Sequence, residues 1–510
     1  MSILIKISQR NLLRHRGKSF VIGLIIFLGA FFMTVGNAIV NGMNKGLEEN
    51  MVQRFLGNIV IVSTNQIDDN ILTGMPKPKK VITGYFKVRD LIEKDDSIDQ
   101  YFPMGFGYSI VFNPEGDHPL YVMSFGIDFQ AYQKMFHSNI QMIEGTLPTN
   151  GQKGIIVNNL SRDNFYENGG FWTLPHGQPV VISNLSAKAL SNTNKLITKS
   201  ELILQGANAD GGSLDLAVKV SGIFKFQTMN DVWSVINFID IETFRETFGY
   251  TTESDAKVVL NSEQKSLLNA NEDDINSMFS DESMFESADI VSKKYNINDI
   301  KKQTKKSDTN TIKTDPGSYN IICVKLKNEA NTAAIVKKLN DEFKTNGMDA
   351  RAIPWDKASG QIGMFANIFR MGINGFVTFL FFVAIIIIMN TLSMAALERI
   401  SEIGMMRAVG ARKSFIGGMF LYETFILAFV FGTAGMLIGT LFQRLLRLAQ
   451  FKADNNMMEI IFGGDYFQPF LDPGTVLLCI IQLLFVTGLS IIYPIIVARK
   501  ITPLDAISRN

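Results

Sequence analysis

FVTFLFFVAIIIIMNTLSMAAL, residues 376–397, is the stretch that decides the fold. It contains no charged side chain, and a helix of this length, at about 1.5 Å per residue, crosses the roughly 30 Å of hydrocarbon in a bilayer. Similar runs occupy residues 20–40, 415–442 and 475–497. No Asp, Lys or Arg interrupts any of them, and Glu423 is the ionisable side chain whose burial in lipid is costly. The sequence therefore predicts four transmembrane helices.

Charges beside these runs predict their orientation. Residues 1–18 are rich in Lys and Arg and carry no acid, and bases also mark the loop 398–414 and the tail 499–510. Short basic flanks stay in the cytoplasm, so both termini are predicted to be cytoplasmic and the chain to lie in the inner membrane of a bacterium. Arg444, Arg447 and Lys452 go against this rule, and we interpret them as a helix that continues past the outer surface.

The N-terminal part of the chain leaves one alternative open. The run 20–40 is longer than the apolar core of a signal peptide and has no clean small-x-small cleavage site, which favours a retained anchor. Residues 3–18 mix apolar and basic positions. They fit an amphipathic segment on the inner leaflet and a plain positive flank equally well.

The stretch between the first two runs has the composition of a folded domain on the outer side of the membrane. Runs rich in Val, Ile and Phe between turn residues predict strands. The predicted strands are 58–63, 120–126, 154–157, 179–183, 201–204, 217–226, 232–240, 319–326 and 350–355, and the predicted helices are 241–248 and 330–345. Strands and helices in this order predict an α+β domain. Residues 251–318 are crowded with polar residues and form a predicted insertion.

Composition argues against several classes of function. A net charge of +1 gives no field for nucleic acid. Cys323 and Cys479 lie in unlike settings, the four histidines are far apart in sequence, and no spacing of metal ligands is present. The sequence predicts no catalytic, cofactor-binding or metal site. The Gly17-Lys18-Ser19 triplet is not a phosphate-binding loop, because Leu12 stands where the first glycine is needed.

LERISEIGMMRAVGA, residues 397–411, is the most specific motif. As a helix it places Leu397, Ile400, Ile403 and Met406 along one side, where they would suit insertion into a groove of a soluble partner. Arg399 and Glu402 have the spacing of an ion pair, and Gly410 would end the helix. A polar helix on the membrane surface with no partner is the alternative reading of these residues.

The motif resembles the short cytoplasmic helix of the FtsX-like permeases, which are membrane subunits of macrolide-exporter and lipoprotein-releasing ABC systems. Their E-R-x-x-E-I-G-x-x-R-A-x-G-A pattern is matched at Glu398, Arg399, Glu402, Ile403, Gly404, Arg407, Ala408, Gly410 and Ala411. Segments 10–19, 41–63, 144–159, 220–226, 237–250 and 493–507 are also similar to pieces of that family. The insertion 251–318 departs from its usual pattern.

The resemblance implies a division of the chain and a set of partners. The predicted parts are an amphipathic segment 1–18, spans 19–42, 371–397, 415–445 and 474–498, an outer domain 43–370, a coupling helix 398–414, an outer loop 446–473 and a tail 499–510. A separate cytosolic ABC ATPase, which binds ATP and Mg²⁺, would dock on the coupling helix. A second permease, in a homodimer or a heterodimer, a lipoprotein or periplasmic cargo or acceptor protein, and membrane lipid are the other implied partners.

Because no ATPase is encoded in these residues, the resemblance favours the lipoprotein-releasing branch of the family. Asn37, Asn390 and Glu423 are candidates for coupling within the membrane, and ordinary helix packing explains them equally well. Two alternatives stay open. One is export of a small molecule or peptide, and the other is transmembrane signalling to cell-wall hydrolases, as in the cell-division member of the family. An enzymatic function has no support in the residues.

Overall fold

The computed structural model describes residues 3–14, 16–66, 68–72, 78–112, 119–137, 139–149, 151–207, 213–250, 316–328 and 331–500. Four helices among these residues are long and apolar enough to cross a membrane. A large mixed α+β domain lies between the first and the second of them. The predicted fold class is thereby confirmed.

The helices are, in chain order, α1 Ile3–Arg14, α2 Arg16–Glu48, α3 Tyr85–Glu93, α4 Phe129–Met135, α5 Asn159–Gly169, α6 Ala187–Ser191, α7 Ile241–Thr247, α8 Thr332–Thr345, α9 Trp355–Ala358, α10 Gln361–Glu398, α11 Ile400–Ala408, α12 Lys413–Leu427, α13 Thr433–Leu448, α14 Asn456–Phe462 and α15 Pro473–Lys500. A π-helix, Glu49–Leu56, prolongs α2, and another, Ala428–Gly432, joins α12 to α13. The spanning helices are therefore α2, α10, α12 with α13, and α15.

The spanning helices extend past the predicted spans at their outer ends. The π-helix that follows α2 buries Met51, Val52, Phe55 and Leu56 in the core of the outer domain. In the same way α10 begins at Gln361, ten residues before the predicted span, and Ile362 and Ala366 join that core. These segments are stalks between the membrane and the domain, because their apolar side chains are buried by protein and not by lipid.

The strands are β1 Ile59–Val62, β2 Ile98–Phe112, β3 Pro119–Ile127, β4 Ile140–Gly145, β5 Ile155–Asn158, β6 Trp172–Thr173, β7 Thr198–Lys199, β8 Glu201–Ala207, β9 Ser213–Phe226, β10 Ile236–Asp240, β11 Ile321–Leu326 and β12 Arg351–Pro354. The main sheet has the order β12-β1-β11-β2-β3-β10-β5-β9-β4, with β8 against β2 and β9. β1 and β12 pair antiparallel, with Val60 opposite Ile353. The two connections to the membrane therefore leave from one edge of the sheet.

The strands differ from the predicted ones at three places. The predicted strand 232–240 begins only at Ile236, because the residues before it form a turn. Residues 179–183 are not a strand; a short 3-10 helix, Ile182–Asn184, lies there, and Ile182 is exposed. The long strand β2 was not predicted, because its glycines look like breaks in a strand. They are needed for packing: a Cβ at Gly105 would lie 2.2 Å from the ring of Phe244, and one at Gly107 would lie 2.3 Å from the ring of Phe248.

The segment predicted as an insertion falls largely outside the described residues, which resume at residue 316. Its two boundaries lie close together on the domain. Arg245, which is buried in α7, donates hydrogen bonds to the Pro316 carbonyl at 2.8 Å and to the Ser318 carbonyl at 3.2 Å. The backbone N–H of Tyr250 donates to the Arg245 carbonyl at 2.9 Å. One arginine at the end of α7 thus holds both boundaries.

The loop between α13 and α15 connects the membrane helices to the outer domain. Its Gly463 lies so close to α2 that a Cβ at Gly46 would be 2.5 Å from the Gly463 carbonyl oxygen. The Asp465 carboxylate accepts a hydrogen bond from the Met229 N–H at 2.8 Å, and Glu459 accepts one from the Val232 N–H at 3.4 Å. Movement of α13 or α15 therefore has a direct route to the domain's 227–235 turn.

Candidate functional site

The predicted coupling helix is α11, at the end of the bundle opposite the outer domain. It follows α10 after a one-residue break at Arg399 and ends at Ala408. Gly410 has a φ of 102°, a backbone conformation that favours glycine, and the Ala411 N–H donates back to the Met406 carbonyl at 2.9 Å. The glycine therefore turns the chain so that α12 can re-enter the membrane.

One side of α11 is buried by the chain's own membrane helices. Ile400 and Ile403 pack with Ile416, Met419 and Phe420 of α12 and with Ala498 of α15. The expectation that this apolar stripe would insert into a partner was therefore wrong. The stripe is already buried against α12 and α15, so its apolar side chains hold α11 on the helix bundle. Leu397, the first residue of the predicted stripe, belongs to α10 and is exposed.

The opposite side of α11, together with Val409, the residue directly after it, is exposed. Met405 is 61% exposed and Val409 is 91% exposed, and Ser401 and Ala408 are exposed beside them. Met405 and Val409 were not among the predicted site residues. Their spacing of four residues marks a helix face, but this short stripe was masked by the longer one formed by the isoleucines.

A buried ion pair holds the start of α11 in place. Arg399 Nη1 donates to Glu423 Oε1 at 3.0 Å and to Oε2 at 3.2 Å, and both side chains are less than a tenth exposed. Asn11 of α1 donates a third hydrogen bond to Glu423 Oε1 at 2.9 Å. The carboxylate thus has partners from two other elements, which offsets the cost of burying it.

The second acid of the motif also reaches α1. Glu402 accepts from Arg14 Nη1 at 2.8 Å, in an exposed pair, while Ser8 donates to the Met419 carbonyl at 3.2 Å. The expected pairing of Arg399 with Glu402 was therefore wrong, because each has a closer partner in another element. These contacts attach α1 to α11 and α12, so α1 is part of the site.

The remaining motif residues divide into two groups by exposure. Gly404 is buried, and its missing side chain belongs to the packed side of α11. Glu398, Ala408 and Gly410 are exposed, and Arg407 and Ala411 are half-buried. The motif therefore includes residues that hold α11 on the bundle and residues that border its exposed surface.

The predicted polar groups of the spans differ in their surroundings. Asn37 of α2 is buried, and its Nδ2 donates to Gln482 Oε1 at 3.2 Å and contacts Cys479 Sγ at 3.2 Å, both on α15. Asn390 is exposed on α10. Asn37 therefore joins two helices of this chain, whereas the Asn390 side chain points away from the bundle.

Metal chemistry finds no support in the part of the chain that the structure describes. No group of three or more His, Cys, Asp or Glu side chains is arranged to hold an ion there. Cys323 and Cys479 are both free and buried, one in the domain and one in a span.

Comparison with known proteins assigns the membrane region. Residues 374–503 match the family model described as FtsX-like permease C-terminal. The chain carries an FtsX-like permease domain. The matched range contains α11, α12 and the Arg399–Glu423 pair, so the site lies inside it. The match covers about a quarter of the chain, so it assigns the membrane region alone.

Two solved structures are similar to part of the chain. The extracellular domain of the noncanonic ABC-type transporter YknZ from Gram-positive bacteria is 8% identical, with 58% of this chain and 99% of that chain covered and a TM-score of 0.26. The periplasmic region of MacB from Actinobacillus actinomycetemcomitans is 11% identical, with 61% and 94% covered and a TM-score of 0.27. No curated protein matches the chain.

Proposed function

We propose that the chain couples ATP hydrolysis by a separate cytosolic ABC ATPase to movement of its outer domain. The observation that carries the proposal is α11 itself. Within an FtsX-like permease domain, it presents exposed apolar side chains at Met405 and Val409 while its other side is fixed to the bundle. An exposed apolar patch framed by charged residues is typical of a surface that binds a protein.

The contacts around α11 support a route for the coupling. A push on Val409 would act on the buried side of α11 and on the Arg399–Glu423 pair, and so on α12. Helix α12 continues through the π-helix into α13 and then into the loop that contacts the 227–235 turn. ATP and Mg²⁺ belong to the ATPase in this proposal, and the present chain supplies the mechanical connection.

The proposal places α11 and both termini in the cytoplasm and the large domain in the periplasm, with the chain in the inner membrane. The basic residues around α11 and at both ends support this orientation. A second permease is proposed to pack against α10. A polar side chain exposed to lipid is costly, so Asn390 favours a partner helix at this face.

Release of lipoproteins from the inner membrane, for sorting to an outer membrane, is the proposed task. It is supported by the resemblance of the motif at 398–411 and by the apolar spans, which offer few polar groups to line an aqueous path. Export of a small molecule or peptide is the second candidate, and signalling to cell-wall hydrolases is the third. Depletion of the protein separates them: mis-sorted lipoproteins support release, altered drug or peptide sensitivity supports export, and cell chaining supports signalling.

The proposal is tested by affinity purification of the tagged chain from mild detergent with mass spectrometry of the retained proteins. We expect a P-loop ATPase and a second permease, or a second copy, to be retained by the parent. Val409→Asp places a charge in the apolar contact and should reduce ATPase recovery by about tenfold or more, equivalent to about 1.4 kcal/mol. Because Val409 is 91% exposed, the fold should not change.

Ile182→Asp is the matched control, since it puts the same charge on an exposed apolar residue of the outer domain. It should retain the ATPase at the parent's level. If the parent retains no ATPase, the proposed function fails. If Val409→Asp binds as well as the parent, the ATPase does not dock on α11.

A further inference from the structure

The outer end of α13 carries positive charge at the depth of the lipid headgroups. Residues Lys413 to Leu448 form one continuous span. About 46 Å of helix separates Lys413 from Arg444 at 1.5 Å per residue, and a bilayer with its headgroups is about 40–45 Å thick. When Lys413 lies among the inner headgroups, Arg444 and Arg447 lie among the outer ones.

These two arginines are exposed. They stand three residues apart on one exposed face of α13, and neither is paired with a carboxylate within the described ranges. Their neighbour Gln443, by contrast, is buried and donates to the Pro469 carbonyl at 2.5 Å. The face is net positive: Lys452 adds an exposed base, and Asp454 is the exposed acid of the same loop.

A small polar cavity lies beside the arginines and is continuous with exposed apolar side chains. It has a volume of about 170 Å³ and is lined by Arg447, Gln450, Tyr466, Phe467 and Gln468. The flanking residues Leu445, Leu448 and Phe451 are more than half exposed. Guanidinium, amide and phenol groups next to exposed alkyl groups fit a molecule with an anionic head and an apolar tail.

We propose that Arg444, Arg447 and this cavity bind the headgroup of an anionic phospholipid in the outer leaflet. The phosphate would accept hydrogen bonds from the guanidinium groups, while the acyl chains would cover Leu445 and Leu448. Basic residues usually lie on the cytoplasmic side of a membrane helix. A lipid-binding site would explain why Arg444 and Arg447 lie on the outer side. The inference does not depend on the cargo or on the ATPase. A bound lipid would steady the start of the loop that contacts the outer domain.

The test uses the full-length protein with Phe467→Trp as a fluorescent reporter, because Phe467 lines the cavity and contributes no polar group to it. The protein is reconstituted into vesicles of phosphatidylcholine with one quarter phosphatidylglycerol. Two preparations are compared: in one the phosphatidylglycerol carries bromine atoms that quench tryptophan fluorescence, and in the other the phosphatidylcholine carries them. The quenching of the introduced tryptophan is obtained by subtracting the signal of the same protein with Phe467 intact. We expect phosphatidylglycerol to be preferred by about threefold or more, and the preference to decrease with salt because the attraction is electrostatic.

Arg444→Gln with Arg447→Gln should abolish the preference. Lys87→Gln with Lys337→Gln, which removes the same charge from exposed sites of the outer domain, should leave it unchanged. Equal quenching by both lipids in the reporter protein overturns the proposal, and so does a preference that survives the double arginine change. If that change instead reduces the yield of paired permeases in detergent with no effect on quenching, the arginines contact a second copy and the lipid site is rejected.

Discussion

At the scale of single residues, the site depends on a carboxylate inside an otherwise apolar span. Glu423 is 4% exposed, and its charge is matched by Arg399 from the start of α11 and supported by the amide of Asn11. Taking one partner away leaves the other charge buried without compensation, which is more costly than never having had the pair. The pair is therefore expected to fix the position of α11 relative to α12.

Removing one member of this pair should be worse than removing both. Arg399→Met and Glu423→Leu are each expected to destabilise the membrane region by about 3 kcal/mol, and the double variant should recover much of the loss. The measurement is the free energy of unfolding in mixed detergent micelles for all four proteins. Strictly additive losses would show that the two side chains act independently. Lys500→Met, at an exposed base near the end of α15, is a control for charge alone.

At the scale of elements, the loop that carries α14 is the contact between the moving helices and the domain. Glu459 is buried there, and burial, followed by the nearby charges of Asp231 and Asp465, raises its pKa to about 7, against the opposing effect of Lys452. The raised pKa means that Glu459 binds its proton more tightly when the loop is docked on the 227–235 turn than when the loop is free in water. Docking therefore weakens as pH rises from about 4.5 to about 7 and is constant above that.

Glu459→Gln should remove this pH dependence. At pH 8 the contact between the α14 loop and the 227–235 turn is expected to be stronger in the variant than in the parent by roughly 1–3 kcal/mol. Near pH 4.5 the two proteins should have the same contact strength. Hydrogen exchange of the 227–235 peptide, compared between the two proteins at each pH, measures the difference while the intrinsic exchange rates cancel. Asp454→Asn, at an exposed carboxylate of the same loop, should behave as the parent does. Equal protection from hydrogen exchange in parent and variant at pH 8 would show that Glu459 does not cause the pH dependence.

At the scale of the whole molecule, the outer domain is built on the two stalks that carry it. β1 follows the first stalk, β12 precedes the second, and the two strands are neighbours in the sheet. The residue range 251–315 leaves and rejoins this domain at one place, since Arg245 holds the chain at Pro316 and lies within hydrogen-bonding distance of Tyr250. The domain should therefore fold without that range.

Replacing residues 252–315 with a six-residue Gly/Ser linker should leave the thermal unfolding midpoint within a few degrees of the parent's, because the described contacts at both boundaries are kept. Arg245→Leu should lower the midpoint in both the intact and the shortened chain, since it removes the hydrogen bond to the carbonyl of the buried Ser318. Differential scanning fluorimetry in detergent provides the comparison. A shortened chain that fails to fold would mean that the range contributes to the core.

The sequence by itself determined the membrane helices, the class of the outer domain and the location of the motif at 398–411. Long apolar runs and the order of strand and helix patterns are local properties, and hydrophobic burial in lipid or in a core acts on them wherever they lie. The tertiary structure decided which side of α11 faces a partner, because Ile403 and Val409 are both apolar and only packing against α12 separates them. It also decided the partners of Arg399 and Glu402 and the use of the glycines in β2. Those depend on residues more than a dozen positions away, which no local pattern encodes.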